Sequence, residues 1–433
     1  MSDVRGTRIL TRPEGVVLSI RRARLRVIRG PDKGRTLELG EQASALIGTH
    51  PDADMVLTDD AVSRQHAELR AGPTGWSIRD LGSTNGVLVG GIRIVEAVLE
   101  NKSCVLSLGE TDLELKLYDD EVEHALSARS SFGQAIGEGP SMRAVFAQLE
   151  RVAPSDSTVL IEGESGTGKE ALAEALHQAS KRAEGPFVVF DCGAVAAQLI
   201  ESELFGHEKG AFTGADRARV GALEEAAGGT LLLDEIGELP VDLQPKLLRA
   251  LEARQVKRVG GTKPLDIDIR IVAATHRKLD RLVAEGKFRA DLFYRLSVIK
   301  VVVPPLRHRP EDVLPLARRF ITRMRPDASA DALLTQGVSA ALTAHRWPGN
   351  VRELRNAVER LLAVGELGTD VRTTEAIVPY HAAKQDAIDR FEREYTKDVY
   401  ARSGHKVVRA AEAAGLSRQM FHRLLRKHEI GDE

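Results

Sequence analysis

Two short stretches carry the side chains best suited to chemistry. The first is GESGTGKE, Gly163 to Glu170, which follows the β-rich run Thr158 to Ile161 and precedes a helical segment. A strand, a glycine-rich turn and a helix in that order make a phosphate cradle, in which backbone N–H groups meet the phosphate oxygens. Gly163, Glu164, Ser165, Gly166, Thr167, Gly168, Lys169 and Glu170 are therefore the expected nucleotide loop, with Lys169 reaching the β and γ oxygens. The second stretch is the β-rich run Thr230 to Leu233, which ends in Asp234 and Glu235. Two acids at the carboxyl end of a parallel strand suit a magnesium shell (Asp234) and an attacking water (Glu235). The bland alternative, two surface acids closing a strand, leaves their placement unexplained. Glu170 stands where a hydroxyl usually helps hold magnesium, so the ion depends on Asp234 and water.

A third stretch, ESELFGHEKGAFTGA from Glu201 to Ala215, begins as a helix and runs into a loop punctuated by Gly206, Gly210 and Gly214. Phe212 and Thr213 fall at its tip. On physical grounds alone, a ring there either stands in solvent or folds back beneath the loop. With its flanking residues, GAFTGA resembles the signature of bacterial enhancer-binding proteins, the AAA+ ATPases that activate sigma-54 RNA polymerase. That resemblance implies that Gly210, Ala211, Phe212, Thr213, Gly214 and Ala215 form the sigma-54 contact, and the family shares the same GESGTGKE. It further implies a first sensor at Thr275 and His276, a second at Arg352 in WPGNVREL, and arginines in FRADLFYRL, Arg289 and Arg295, that reach a neighbouring subunit's ATP. Such arginines require a ring, in this family usually a hexamer. Where the family has an asparagine that restrains the catalytic glutamate, this chain has Asp191. A carboxylate cannot donate unless protonated, and it would repel Glu235, so altered control of hydrolysis is expected.

The elements that must position these groups alternate. The runs Thr158 to Ile161, Phe187 to Phe190, Thr230 to Leu233, Ile269 to Ala274 and Val298 to Val303 are separated by Ala/Leu/Glu/Arg-rich segments. This predicts an α/β AAA+ ATPase subdomain with a parallel sheet over residues 132–304, and a small helical subdomain over 305–367.

Residues 16–118 instead show period-two alternation between turn clusters, predicting an all-β sandwich, followed by a linker over 119–131. The stretch AVSRQHAELRAGPTGWSIRDLGSTNG resembles the forkhead-associated (FHA) domain, a phosphothreonine-binding sandwich. By resemblance, Ser63 and Arg64 face the phosphate, Ser83, Thr84 and Asn85 complete the recognition loops with Asn85 on the peptide backbone, and His66 braces them. The family's Gly-Arg pair is here Gly48-Thr49, which removes an expected phosphate-binding arginine. A sandwich that only docks on a neighbouring domain is the alternative.

Over residues 379–433, Ile388, Phe391, Tyr395 and Val399 form a helical stripe. An alanine-rich helix, a turn at Gly415 and a helix capped by Ser417 follow, resembling an all-α Fis-type helix-turn-helix. Ser417, Arg418, Gln419, His422, Arg423 and Arg426 are the expected DNA-facing residues, with Met420, Leu424 and Leu425 turned inward. The alternative is an amphipathic hairpin with a solvated basic face.

Composition is permissive. The 433 residues carry a formal net charge of -2, so DNA contact has to come from a local basic patch. Cys104 and Cys192, the two cysteines, form neither a disulfide framework nor a zinc motif. No run approaches the ~18 apolar residues of a membrane span, and no signal peptide is apparent, so a cytoplasmic protein is expected. These readings converge on an ATP- and magnesium-dependent activator that binds enhancer DNA, assembles into a ring and remodels sigma-54 RNA polymerase. Its first domain is expected to answer to a phosphothreonine protein or kinase. A AAA+ remodeller of another target and a non-enzymatic DNA-binding regulator are the rival readings.

Overall fold

The computed structural model describes residues 8–12, 15–40, 44–51, 53–72, 75–99, 101–213, 215–327, 329–365, 367, 392, 395–404 and 406–427. They fall into two compact units, residues 1–371 and 372–433. Among the described residues, no helix is long and apolar enough to cross a membrane.

The first domain is a β-sandwich. A seven-stranded sheet is built on two 15-residue strands, Gly15–Arg29 and Thr111–Ala125, which pair antiparallel. A five-stranded sheet containing Ser44–Gly48, Ala67–Gly72 and Gly75–Asp80 makes up the rest of the sandwich. Alternating residues such as Leu25, Val27, Leu69, Trp76, Ile78, Leu113 and Leu115 fill the space between, as period-two patterning requires. The expected linker over 119–131 is corrected here, because the second long strand continues through it to Ala125. The pairing register shifts between Leu117 and Glu121, a bulge that hides the continuation from simple alternation.

The second domain opens with a short hairpin, Ser131–Phe132 with Ala135–Ile136, whose Phe132 joins the core. Helix α1 (Pro140–Val152) follows, and the domain holds a five-stranded parallel sheet. Its strands are β1 (Val159–Glu162), β2 (Phe187–Asp191), β3 (Thr230–Asp234), β4 (Arg270–Thr275) and β5 (Ile299–Val302). The spatial order β2-β3-β4-β1-β5 puts β1 and β3 on either side of β4. Separate apolar clusters cover the two faces, one around Leu231, Leu233 and Leu247, the other around Phe146, Leu172 and Leu232. Burial on both faces explains why these strands are continuous apolar runs.

A helical lid follows, built from α2 (Val313–Met324), α3 (Gln336–Ala344) and α4 (Asn350–Val364) around the fully buried Trp347. In the second unit, α5 (Val407–Ala413) and α6 (Arg418–Lys427) pack through Ala410, Ala411, Phe421 and Leu425.

Candidate active site

The glycine loop joins β1 to a helix that starts at Lys169. Gly166 and Gly168 have φ of 77° and 101°, the left-handed region that glycine enters without penalty, so the loop can curl tightly between β1 and the helix. Lys169 is buried and folds back onto its own loop, donating to the carbonyl oxygens of Gly163 at 2.9 Å and Glu164 at 3.3 Å. Burial pulls its ammonium below the usual lysine range, against the attraction of Glu235 and Asp234.

Those acids sit where β3 ends. Asp234 is pushed above the ordinary aspartate range, first by burial and then by the charges of Glu235 and Asp191. A desolvated carboxylate of this kind, with the phosphate loop next to it, fits a magnesium ion that takes its remaining oxygens from phosphate and water. Among the described residues, no group of three or more His, Cys, Asp or Glu side chains forms a dedicated metal cage.

Glu235 adopts φ 49°, ψ 44°, a left-handed conformation uncommon for a non-glycine residue and frequent at functional sites. Its Oε2 accepts from the Nδ1–H of His276 at 2.6 Å and from the His276 backbone N–H at 3.2 Å, while Oε1 lies 3.9 Å from the Lys169 ammonium. Thr275, at the end of β4, is fully buried. Its carbonyl accepts from Gly163 N–H at 3.2 Å, which ties β4 to the loop.

Asp191 lies beside Asp234 in the strand register but makes no bond to Glu235. Its Oδ1 accepts from the N–H groups of Gly193 at 2.8 Å and Ala194 at 3.1 Å, closing a local turn. Repulsion by Asp191 therefore falls on Asp234, and the residue that holds Glu235 is His276.

The lid completes the site. Arg352 donates to Ser165 Oγ at 3.1 Å, and the N–H groups of Val351 and Arg352 both point at Gly166 O. Glu164, Ser165, His276, Gly349 and Arg352 line a cleft of about 430 Å³ between loop and lid. Sequence reading missed Asn350. Its Oδ1 accepts from Leu306 N–H at 2.8 Å, and its Nδ2 donates to Glu164 at 3.1 Å and Ser165 O at 3.0 Å. Arg309, also missed, is buried and donates to Thr167 O at 3.1 Å.

Other predicted residues lie outside this cluster. Arg289 pairs with Asp291 at 2.7 Å, and Arg295 donates to Leu251 O at 3.1 Å. Glu170 is exposed in the first helical turn. At the GAFTGA loop, Gly210 N–H bonds Ala215 O at 2.8 Å, and Phe212 remains 41% exposed with its ring 5.0 Å edge-on to buried His207. Phe212 is thus neither free nor tucked under, and Gly214 lies outside the described residues.

In the sandwich, His66 is fully buried and burial lowers its pKa. It accepts from Ser63 N–H through Nδ1 at 3.0 Å and bonds Gly86 O through Nε2 at 3.0 Å, so it does brace the two loops. Ser63 Oγ accepts from Thr84 N–H at 3.1 Å, Ser83 Oγ from Gly86 N–H at 3.0 Å, and Asn85 donates to Ala61 O at 2.7 Å. Arg64 and Thr84 are exposed. Thr49 N–H bonds Ser63 O at 3.1 Å, which puts the substituted position against this loop.

In the C-terminal unit, Ser417 Oγ caps α6 by accepting Met420 N–H at 3.2 Å, and Arg418, Gln419, His422 and Arg423 are exposed. Met420 is not inward, being 42% exposed; Phe421 takes the core position instead. Residues 421 and 425 share the face that meets Ala410 and Ala411, whereas 420 is turned away from it. Ile388, Phe391 and the Arg426 side chain lie outside the described residues.

Comparison with known proteins agrees with this arrangement. Residues 135–302 match the family model of the sigma-54 interaction domain, residues 307–391 the AAA+ ATPase lid domain, and residues 26–119 a model described as the inner membrane component of T3SS, cytoplasmic domain. The chain is 44% identical to the transcriptional regulatory protein ZraR of Klebsiella oxytoca over 327 residues, 72% of each chain. It is 53% identical to the DNA-binding transcriptional regulator NtrC of Escherichia coli over 237 residues, 54% of this chain, and spans 50% of that protein's length. The crystal structure of NtrX from Brucella abortus in complex with ATP is 39% identical, covers 70% of this chain and 71% of that one, and superposes with a TM-score of 0.50. With a β-sandwich in front of its ATPase, this chain belongs to the family of sigma-54-dependent transcriptional activators.

Proposed function

We propose that this protein binds DNA upstream of its promoters through α5 and α6, assembles into a ring, and uses ATP hydrolysis to drive the Phe212–Thr213 loop against sigma-54. The single observation that carries the reading is the loop itself. A half-exposed phenylalanine rests on His207 at the end of a helix whose strand neighbours lead to the nucleotide site. Lys169 and the loop amides bind the triphosphate, and Asp234 takes the magnesium, which neutralises phosphate charge when bound. Glu235 orients the water once it leaves His276. Arg289 and Arg295 serve a neighbour's nucleotide; the exposed Tyr294 and Val298 beside them suit a subunit contact.

The test is Phe212→Ser. Ring assembly and ATP turnover are expected to persist while sigma-54-dependent promoter opening is lost; undiminished opening refutes the assignment, and ATPase without any sigma-54 transcription by the native chain favours another remodelling target.

The first domain is read as a phosphothreonine sensor built on Ser63, Arg64 and Asn85. Phosphorylated threonine peptides are expected to bind more tightly than unphosphorylated ones, and equal affinities reject that role.

A further inference from the structure

Between sandwich and ATPase lies a buried cluster of charges that no motif announces. Arg307 follows β5 at the entrance to the lid and donates bidentately to Glu164 of the nucleotide loop, at 2.8 and 2.6 Å. On its other side, Arg307 Nε lies 3.8 Å from Glu68 of the sandwich strand Ala67–Gly72, and Glu68 is 7% exposed. His308 closes the cluster. Its Nδ1 is 2.8 Å from Ser44 Oγ, its Nε2 bonds Glu68, and its carbonyl accepts from Arg70 at 2.7 Å. Burial, reinforced by Arg307 and Arg70, holds the His308 pKa far down. The neutral ring therefore accepts from the Ser44 hydroxyl and donates to Glu68. Further contacts seat the sandwich across both ATPase subdomains: Lys278 pairs with Asp54 at 3.2 Å, Arg281 bonds Pro51 O, and lid residue Arg346 donates to Leu81 O at 3.3 Å.

Bidentate guanidinium–carboxylate geometry fixes orientation as well as charge. Without Arg307, Glu164 would keep only the neutral Asn350 amide as a donor and would leave an uncompensated negative charge at the triphosphate cleft it lines. We infer that Arg307 is a positioning residue of the ATPase, neutralising and orienting Glu164 for nucleotide binding, and that Glu68 of the first domain competes for the same guanidinium. The nucleotide loop would thereby sense how firmly the sandwich is seated. The inference rests on GESGTGKE being the nucleotide loop.

Charge gives the two partners opposite signs. With Arg307 removed, two carboxylates remain against a tetra-anionic ligand. With Glu68 neutralised, one arginine faces one carboxylate and the local charge becomes less negative. A single charge change at about 10 Å in a partly buried site alters anion affinity by a factor of roughly 3–10. The experiment compares full-length wild type with Glu68→Gln, Arg307→Gln and Arg307→Lys. It measures a fluorescent ATP analogue's Kd and the KM and kcat for ATP. Arg307→Gln is expected to raise Kd and KM by roughly 3–10-fold with kcat within about twofold, Arg307→Lys to recover part of that loss, and Glu68→Gln to lower both. Simple loosening of the domains moves both positions the same way, so a raised or unchanged Kd in Glu68→Gln overturns the inference. That variant is nearly isosteric and keeps the comparison available if Arg307→Gln misfolds. A wild-type chain that fails to bind the analogue refutes the nucleotide-loop reading and the inference with it.

Discussion

Replacing His276 with alanine tests whether Glu235, the proposed catalytic glutamate, is held back by the histidine. The Glu235 carboxylate is engaged by the His276 ring at 2.6 Å, by the same residue's backbone N–H at 3.2 Å, and by the Lys169 ammonium at 3.9 Å. A carboxylate saturated by donors is a poor base and does not aim at a water. Hydrogen bonds to charged groups contribute about 1.5–3 kcal/mol. The His276 side chain is 35% exposed and the backbone bond survives the substitution, so the ring's share falls to about 1–1.4 kcal/mol. That corresponds to roughly 5–10-fold in the population of released Glu235. Phosphate release by the isolated protein, without DNA or polymerase, is therefore expected to rise by up to that factor in His276→Ala, and by less in His276→Asn, which keeps an amide donor. Turnover that falls or stays unchanged in His276→Ala refutes the holding role.

Asp191→Asn keeps an oxygen for the Gly193 and Ala194 N–H groups but removes a charge beside Asp234. In its proposed role Asp234 must be ionised to hold magnesium, and its pKa is raised, so turnover is expected to be lost on acidification at a pH above the ordinary aspartate range. In the variant this acid limb shifts to lower pH, and an unmoved pH–rate profile rejects the coupling. Asn350→Ala deletes three hydrogen bonds at a residue with φ 55° and is expected to cost about 2–4 kcal/mol, read by denaturant unfolding. Phe421→Ala empties the centre of the α5–α6 core, a loss of about 3–5 kcal/mol by the usual large-to-small cost. DNA binding in gel-shift assays is expected to vanish while basal ATP turnover persists.

Much of the fold follows from local pattern. The glycine loop and the acids of β3 were legible because the central strands β1, β3 and β4 are buried almost throughout and read as apolar runs that end where polar residues begin. The less buried β2 and β5 still read as β-rich runs. The sandwich was legible from its alternation, except where the bulge before Glu121 breaks the period and makes the end of a strand read as linker. The inward face of α6 was misassigned at Met420 because a ten-residue helix with apolar residues at 420, 421, 424 and 425 has two plausible stripes. Only the partner helix selects one.

Sequence alone determined the chemistry available to this protein: a phosphate loop with Lys169, two acids one strand away, a phenylalanine on a glycine-hinged tip, and a serine-capped basic helix. These are short-range features, written in neighbouring residues. Tertiary structure decided which groups restrain one another. Glu235 met His276 from the next strand, and Asp191 turned into its own loop. Glu68, 96 positions before Glu164 in the chain, came to share one guanidinium with it. Long-range contacts between buried charges depend on how whole domains pack, and no local spacing records that.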